Sequence, residues 1–201
     1  MALPDVAIID SGGANIASLQ FALQRLNVAT MLTTDADVIR NASHVILPGV
    51  GAAADAMRRL EAQNLDTLIA TLKQPVLGIC LGLHLLAEES AEQDTQCLGI
   101  VAGKAHKLVG DSNNRVPNMG WSRISLKRDH ELLVDIDDGS YFYFLHSYAL
   151  PADEYAIATS KHSDPFTAIL SDNNFHATQF HPERSAEAGA QLLRNFLALG
   201  T

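Results

Sequence analysis

The sequence predicts an α/β fold: a parallel sheet with helices packed on it, carrying an appended layer of antiparallel hairpins. Three observations support this. Through the first half, short apolar runs alternate with segments of helical period, the pattern of βα units that stack into a parallel sheet. From about residue 97 to residue 180 the pattern changes to short β-prone runs separated by turns, and a last segment returns to helical period. The 201 residues, 47% hydrophobic, contain no internal repeat, low-complexity tract or Pro/Ser linker, so one domain spanning 1–201 is expected.

In chain order, 6–10 reads as a buried strand, and 15–26 places Ile16, Leu19, Leu23 and Leu26 at helical steps. Residues 28–33 and 44–48 are further strands, 52–60 a helix, and 75–79 a fourth strand ending at Cys80. The strand ends carry Asp10-Ser11-Gly12-Gly13, Pro48-Gly49-Val50-Gly51 and Cys80-Leu81-Gly82. Ligands of open parallel sheets bind at the carboxyl ends of the strands, so these three turns should converge on one rim. The hairpin runs are 99–101, 104–109, 121–124, 141–147, 155–159, 167–170 and 175–180. A terminal helix, 183–199, shows a stripe of Ala186, Ala190, Leu193 and Leu197, flanked by Gly189, Leu192 and Phe196.

Charge and composition remove several classes of function. Lys+Arg 14 against Asp+Glu 23 gives a net charge of -9, which repels a phosphate backbone, so no nucleic-acid partner is expected. The longest nearly uncharged stretch, 74–87, carries His84 and is shorter than the roughly 20 apolar residues that a bilayer requires, so no membrane span is expected. The first residues do not place a basic segment ahead of an apolar one, so a secretory signal does not fit and a cytoplasmic location is expected. Cys80 and Cys97 cannot form a disulfide framework for a domain of this size and should both be thiols. His44, His106, His130, His146, His162 and His176 lack metal-ligand spacing; they read as structural or surface residues, with His146 a candidate for ordering the neighbouring site.

Gly78-Ile79-Cys80-Leu81-Gly82 sits at a strand end and leads into an apolar helical stretch. Glycine two places either side of a nucleophile permits a sharp strand-to-helix elbow, the steric logic of G-x-S-x-G with sulfur in place of oxygen. A cysteine there feels the positive end of the helix dipole, which favours the thiolate; taken alone, the same residue also suits a small buried hydrophobe. The base a thiol needs is offered about a hundred residues downstream by Phe180-His181-Pro182-Glu183. Pro182 biases His181 toward extended geometry, where residues two apart share a face, so Glu183 can orient the imidazole. Pro-Glu also opens helices, so each signal is moderate by itself; together they form a Cys80-His181-Glu183 relay. In Pro48-Gly49-Val50-Gly51, Gly49, Val50 and Gly51 can bring backbone N–H groups close to a substrate, and with the N–H of Leu81 they would receive the charge of a tetrahedral intermediate.

Gly78-Ile79-Cys80-Leu81-Gly82, Phe180-His181-Pro182-Glu183 and Pro48-Gly49-Val50-Gly51 together resemble the class I glutamine amidotransferases. Four further segments, 117–121, 141–148, 166–168 and 178–185, resemble one branch of that family, the glutaminase subunits of imidazole glycerol phosphate synthases. The resemblance runs from Val6 to Leu197. It implies a flavodoxin-like sheet with helices on both faces, and hydrolysis of L-glutamine to glutamate and ammonia. The ammonia would pass to a cyclase subunit of (β/α)8-barrel fold that makes imidazole glycerol phosphate for histidine biosynthesis. No metal or organic cofactor is required by this chemistry. The resemblance further implies that Glu92, Ser147 and Tyr148 hold the ends of glutamine, and that Asn15, Met119, Trp121, Tyr143 and Arg184 face the cyclase. By the residues alone, Trp121 and Tyr143 read instead as core aromatics of the hairpin layer. The sequence departs from the family at His84, where glutamine is usual, and at Asn118, where histidine is common. His84 lies one helical turn from Cys80 and can hydrogen-bond substrate, which predicts a glutamine affinity that varies between about pH 6 and 8. Other ammonia-using synthases, or a cysteine hydrolase of another amide, would use the same triad.

Overall fold

A computed structural model describes residues 5–12, 16–112 and 114–200. The parallel part comprises β1 (Val6–Ile9), α1 (Ile16–Arg25), β2 (Thr30–Thr33), α2 (Ala36–Asn41), β3 (His44–Gly49), α3 (Ala53–Ala62), α4 (Leu65–Ile69), β4 (Val76–Cys80) and α5 (Leu81–Leu86). There follow β5 (Ala87–Ser90), β6 (Thr95–Gln96), β7 (Val101–Lys107), β8 (Asn118–Leu126), β9 (Tyr141–His146), β10 (Tyr148–Ala149), β11 (Ala156–Lys161), β12 (Pro165–Asp172), β13 (Phe175–Thr178) and α6 (Ala186–Ala198).

These strands form a nine-stranded mixed sheet in the order β2-β1-β3-β4-β13-β12-β11-β8-β9, and a four-stranded sheet in the order β10-β7-β5-β6. Pairing is parallel from β2 to β13 and antiparallel beyond it. The expected appended hairpin layer is thus corrected: β12, β11, β8 and β9 prolong the main sheet, and only the small sheet stands apart. β13, whose sequence suggests a hairpin arm, is a central strand, buried at every position and paired parallel to β4. The tight turn between Asp172 and Phe175 gives it a hairpin's sequence, while its second pairing is with a strand about a hundred residues earlier.

Alternation along the buried strands explains the helices on both faces. Val6, Ile8, Ile46 and Leu77 point to one core, shared with Leu19 and Leu23 of α1 and Leu192, Leu193 and Phe196 of α6. Ala7, Ile9, Val45, Leu47 and Val76 point to the other, filled by residues of α2, α3, α4 and α5. Period-2 alternation buries both faces of such a sheet, which is why these strands read as continuous apolar runs. The runs expected at 99–101 and 104–109 are one strand, β7, and the terminal helix begins at Ala186, after a 3-10 turn over Pro182–Arg184.

The three turns do share a rim. Ser11 Oγ donates to the Pro48 carbonyl at 2.7 Å, and Gly49 is the register partner of Cys80. Gly13 lies outside the described residues.

Candidate active site

The chain turns from β4 into α5 at Cys80, whose backbone is held at φ 54 and ψ -106. A non-glycine residue in that region is strained and persists only where its surroundings impose it. The surroundings here are steric: a Cβ at position 82 would collide with the Leu47 carbonyl, and one at position 78 would lie 2.8 Å from the Gly82 backbone. Bare backbone at 78 and 82 therefore lets α5 start against β3 and β4, and the elbow turns the Cys80 side chain to the rim.

On the adjacent strand end, His181 is extended (φ -99, ψ 98) and its Nδ1 lies 2.9 Å from Glu183 Oε1. Both side chains are buried, with 6% and 4% exposed. Ser185 clamps this segment: its Oγ donates to the His181 carbonyl at 2.7 Å and accepts the Tyr143 N–H at 3.0 Å, while His181 N donates to the Tyr143 carbonyl. Burial pushes the His181 imidazole down, but hydrogen bonds with Cys80 and then Glu183, reinforced by their charges, outweigh it and hold the group up to about 10. The pair thus favours a protonated imidazole beside the sulfur. The Cys97 thiol, by contrast, is pushed up to about 11, first by burial and then by the Glu89 charge, and is a poor nucleophile.

A cavity of about 710 Å³ opens over the elbow. Val50, Gly51, Cys80, Leu81, His84, Glu92, Ser147, Tyr148 and His181 all line it, and Gly49 lies beside it against Leu81. Glu92 is additionally tied to α3, its Oε2 accepting the Ala53 N–H at 2.9 Å. Arg184, expected at the partner face, reaches the cavity as well.

Two histidines form part of the wall. The Asn118 amide lies 3.0 Å from His146 Nε2, and His146 Nδ1 lies 2.9 Å from the Tyr148 carbonyl. An amide nitrogen only donates and a carbonyl only accepts, so His146 is the Nδ1–H tautomer and ties β8 to the backbone of Tyr148. Its burial, chiefly, pushes it down to about 3. His84 is also pushed below its ordinary 6.5, by burial, against hydrogen bonds with Gln179 and the Tyr148 carbonyl. Its Nε2 lies 2.8 Å from Gln179 Oε1. Sequence reasoning missed Gln179 and Ser185 as contributors. Nothing in their spacing marks them, and only the packing of β13 beside β4 reveals them.

The remaining candidates form an exposed face at the β8–β9 edge. Met119 and Trp121 are 68% and 52% exposed, so Trp121 is not a core aromatic. Trp121 meets half-buried Tyr143 edge-to-face at 6.1 Å, and Arg184 lies 4.6 Å over the Tyr143 ring. β8 alternates, which turns Asn118 inward and Met119 outward. Asn15 lies outside the described residues.

An elbow cysteine, an extended His-Pro-Glu segment and a glycine loop around one cavity define an amidotransferase-type thiol site, and residues 7–199 match the model of the family "Glutamine amidotransferase class-I". The chain belongs to that family. It is 47% identical over 194 residues to subunit HisH 2 of imidazole glycerol phosphate synthase from Legionella pneumophila (strain Paris), covering 96% of this chain and 98% of that protein. It is 47% identical over 197 residues to the HisH subunit of Xylella fastidiosa (strain Temecula1), covering 98% of each. Among solved structures, a glutamine amidotransferase superposes with a TM-score of 0.73 at 16% identity, covering 96% of each chain. Another, from Thermotoga maritima, gives 0.65 at 16% identity and covers 98% of this chain and 83% of that one. At such identities these two structures speak for the fold. No helix among the described residues is long and apolar enough to cross a membrane.

Proposed function

We propose that this chain is the glutaminase subunit of an imidazole glycerol phosphate synthase, acting in histidine biosynthesis as a single domain on a flavodoxin-like framework of five parallel strands. The observation that carries the reading is the meeting of Cys80 with the His181–Glu183 pair in one cavity. L-Glutamine enters with its carboxamide over the elbow, its ends held toward Glu92, Ser147 and Tyr148. Cys80 Sγ attacks the carboxamide carbon, and backbone N–H groups of the 49–51 loop and Leu81 receive the oxyanion. Protonated His181 gives its proton to the departing nitrogen, so ammonia leaves and a thioester remains on Cys80. Neutral His181 then takes a proton from water, which attacks the thioester; glutamate leaves and the sulfur returns to thiolate. Glu183 holds the imidazole throughout.

Met119, Trp121, Tyr143 and Arg184 form the docking face for a (β/α)8-barrel cyclase in a heterodimer, to which the ammonia passes. Aromatic residues with an arginine are the types that carry energy in interfaces, and the homology to HisH subunits supports the choice of partner. Cytoplasmic thiol chemistry follows from this reading.

The test is glutaminase turnover with and without a purified imidazole glycerol phosphate cyclase and its nucleotide ligand. Stimulation by that cyclase and not by other ammonia-using synthases is expected, together with loss of ammonia release in Cys80→Ala while cyclase binding is retained. Cleavage of other amides with no release of ammonia from free glutamine would refute the proposal.

A further inference from the structure

Gln179 follows β13 directly, two residues before His181, and its side chain is wholly buried behind the elbow. It faces two groups: its Oε1 lies 2.8 Å from His84 Nε2, and its Nε2 lies 4.0 Å from Cys80 Sγ. The orientation of such a carboxamide has chemical consequences. With its NH2 toward the sulfur it supplies a donor that a thiolate accepts, whereas with its oxygen there it repels negative charge. An imidazole carrying a proton on Nε2 donates to Oε1 and fixes the first orientation. His84 occupies the place where this is geometrically possible, one helical turn after Cys80 and buried at 4% exposure. None of this is used in the triad chemistry.

We propose that His84 and Gln179 are positioning residues for the nucleophile: His84 Nε2–H anchors Gln179 Oε1, and the anchored carboxamide presents its N–H to Cys80 Sγ, steadying the thiolate opposite His181. The inference rests on the glutaminase reading and deepens it, giving the histidine at position 84 a task directed at the sulfur. Beside the sulfur are His181, with Glu183 behind it, and the Leu145 carbonyl, which Cys80 Sγ approaches at 3.6 Å. His146, Glu92, Tyr148 and Arg184 are the other titratable groups that line the same cavity.

The experiment is the pH profile of Cys80 alkylation by iodoacetamide, read by mass spectrometry of the Cys80 peptide, on the full chain without glutamine or partner. Gln179→Leu should raise the alkylation midpoint by about 0.5 to 1 pH unit, as befits loss of one long N–H···S bond. His84→Phe should shift it the same way by roughly half as much, and His84→Gln, which retains an amide donor, should restore the parent midpoint. Unchanged midpoints in both Gln179→Leu and His84→Phe, in protein with the parent's circular dichroism, overturn the proposal. A shift in His84→Gln as large as in His84→Phe does so too. Should Gln179→Leu not fold, the two His84 variants decide the matter. Because the probe reads Cys80 itself, absence of glutamine turnover would sink the functional reading while leaving these midpoints interpretable.

Discussion

At position 82 the missing side chain is the functional feature, because the Leu47 carbonyl occupies the space that a methyl group would need. Neither partner can yield cheaply, since one is the backbone of a central strand and the other the first turn of α5. Gly82→Ala should therefore push the elbow off the sheet, costing roughly 1–3 kcal/mol of stability and at least tenfold in glutamine turnover. Urea unfolding and steady-state ammonia release measure the two effects, and a variant with parent-like values in both would contradict the steric account. The glycines, the thiol and the His-Pro-Glu segment were legible in the sequence because local geometry dictates those residue types. Gln179 and Ser185 were not, since a buried amide or hydroxyl acquires its role from neighbours that only the tertiary fold supplies.

At the scale of single elements, the long periodic runs and buried strands were readable, whereas α2 and α4, of six and five residues, carry too little helical period to be seen. β13 was misjudged for a different reason: strand pairing across a hundred residues leaves no mark in a local pattern. The same central and edge strands hold histidines that are neutral when folded. His146 on β9 is held down to about 3, mainly by burial, and His176 on β13 to about 4, by burial and then by the His130 charge. His176 Nδ1 lies 3.0 Å from the Ser171 hydroxyl, whose other neighbour is His130 Nε2 at 2.9 Å. Unfolded chains protonate these rings near 6.5, so below that pH the unfolded state binds more protons and stability falls as the pH drops. The slope rises from half of its limit at pH 6.5 to about 1.4 kcal/mol per pH unit for each ring, or roughly 3 kcal/mol for the two between pH 6.5 and 5. Urea denaturation across that range checks it, and His176→Asn, which keeps a hydrogen-bonding side chain, should halve the contribution of the pair. A flat stability between pH 6.5 and 5 would contradict neutral burial of both rings.

Across the whole molecule, the mixed sheet connects two surfaces to which the proposed function gives different partners. The rim at β3, β4 and β13 gathers the thiol, the glycine loop and the imidazole, while the far edge at β8 and β9 turns Met119 and Trp121 outward. The His-Pro-Glu segment joins them, because the Tyr143 backbone receives His181 N–H and the Tyr143 ring lies under Arg184. On the proposed function, a cyclase docked on this edge would sit against Tyr143, whose backbone supports the imidazole segment. Trp121 should be the anchor of that contact, since it is large and exposed, and its only described aromatic partner, Tyr143, stands directly across the β8–β9 ladder. Trp121→Ala should weaken cyclase binding by about 30-fold, the 2 kcal/mol typical of a central interface aromatic, with unchanged far-ultraviolet circular dichroism. Calorimetric titration of the cyclase into each form measures it. Phe in place of Trp121 should recover most of the loss if the contact is ring packing, and none of it if the indole N–H is what the partner reads, so the pair of variants separates packing from hydrogen bonding at this face.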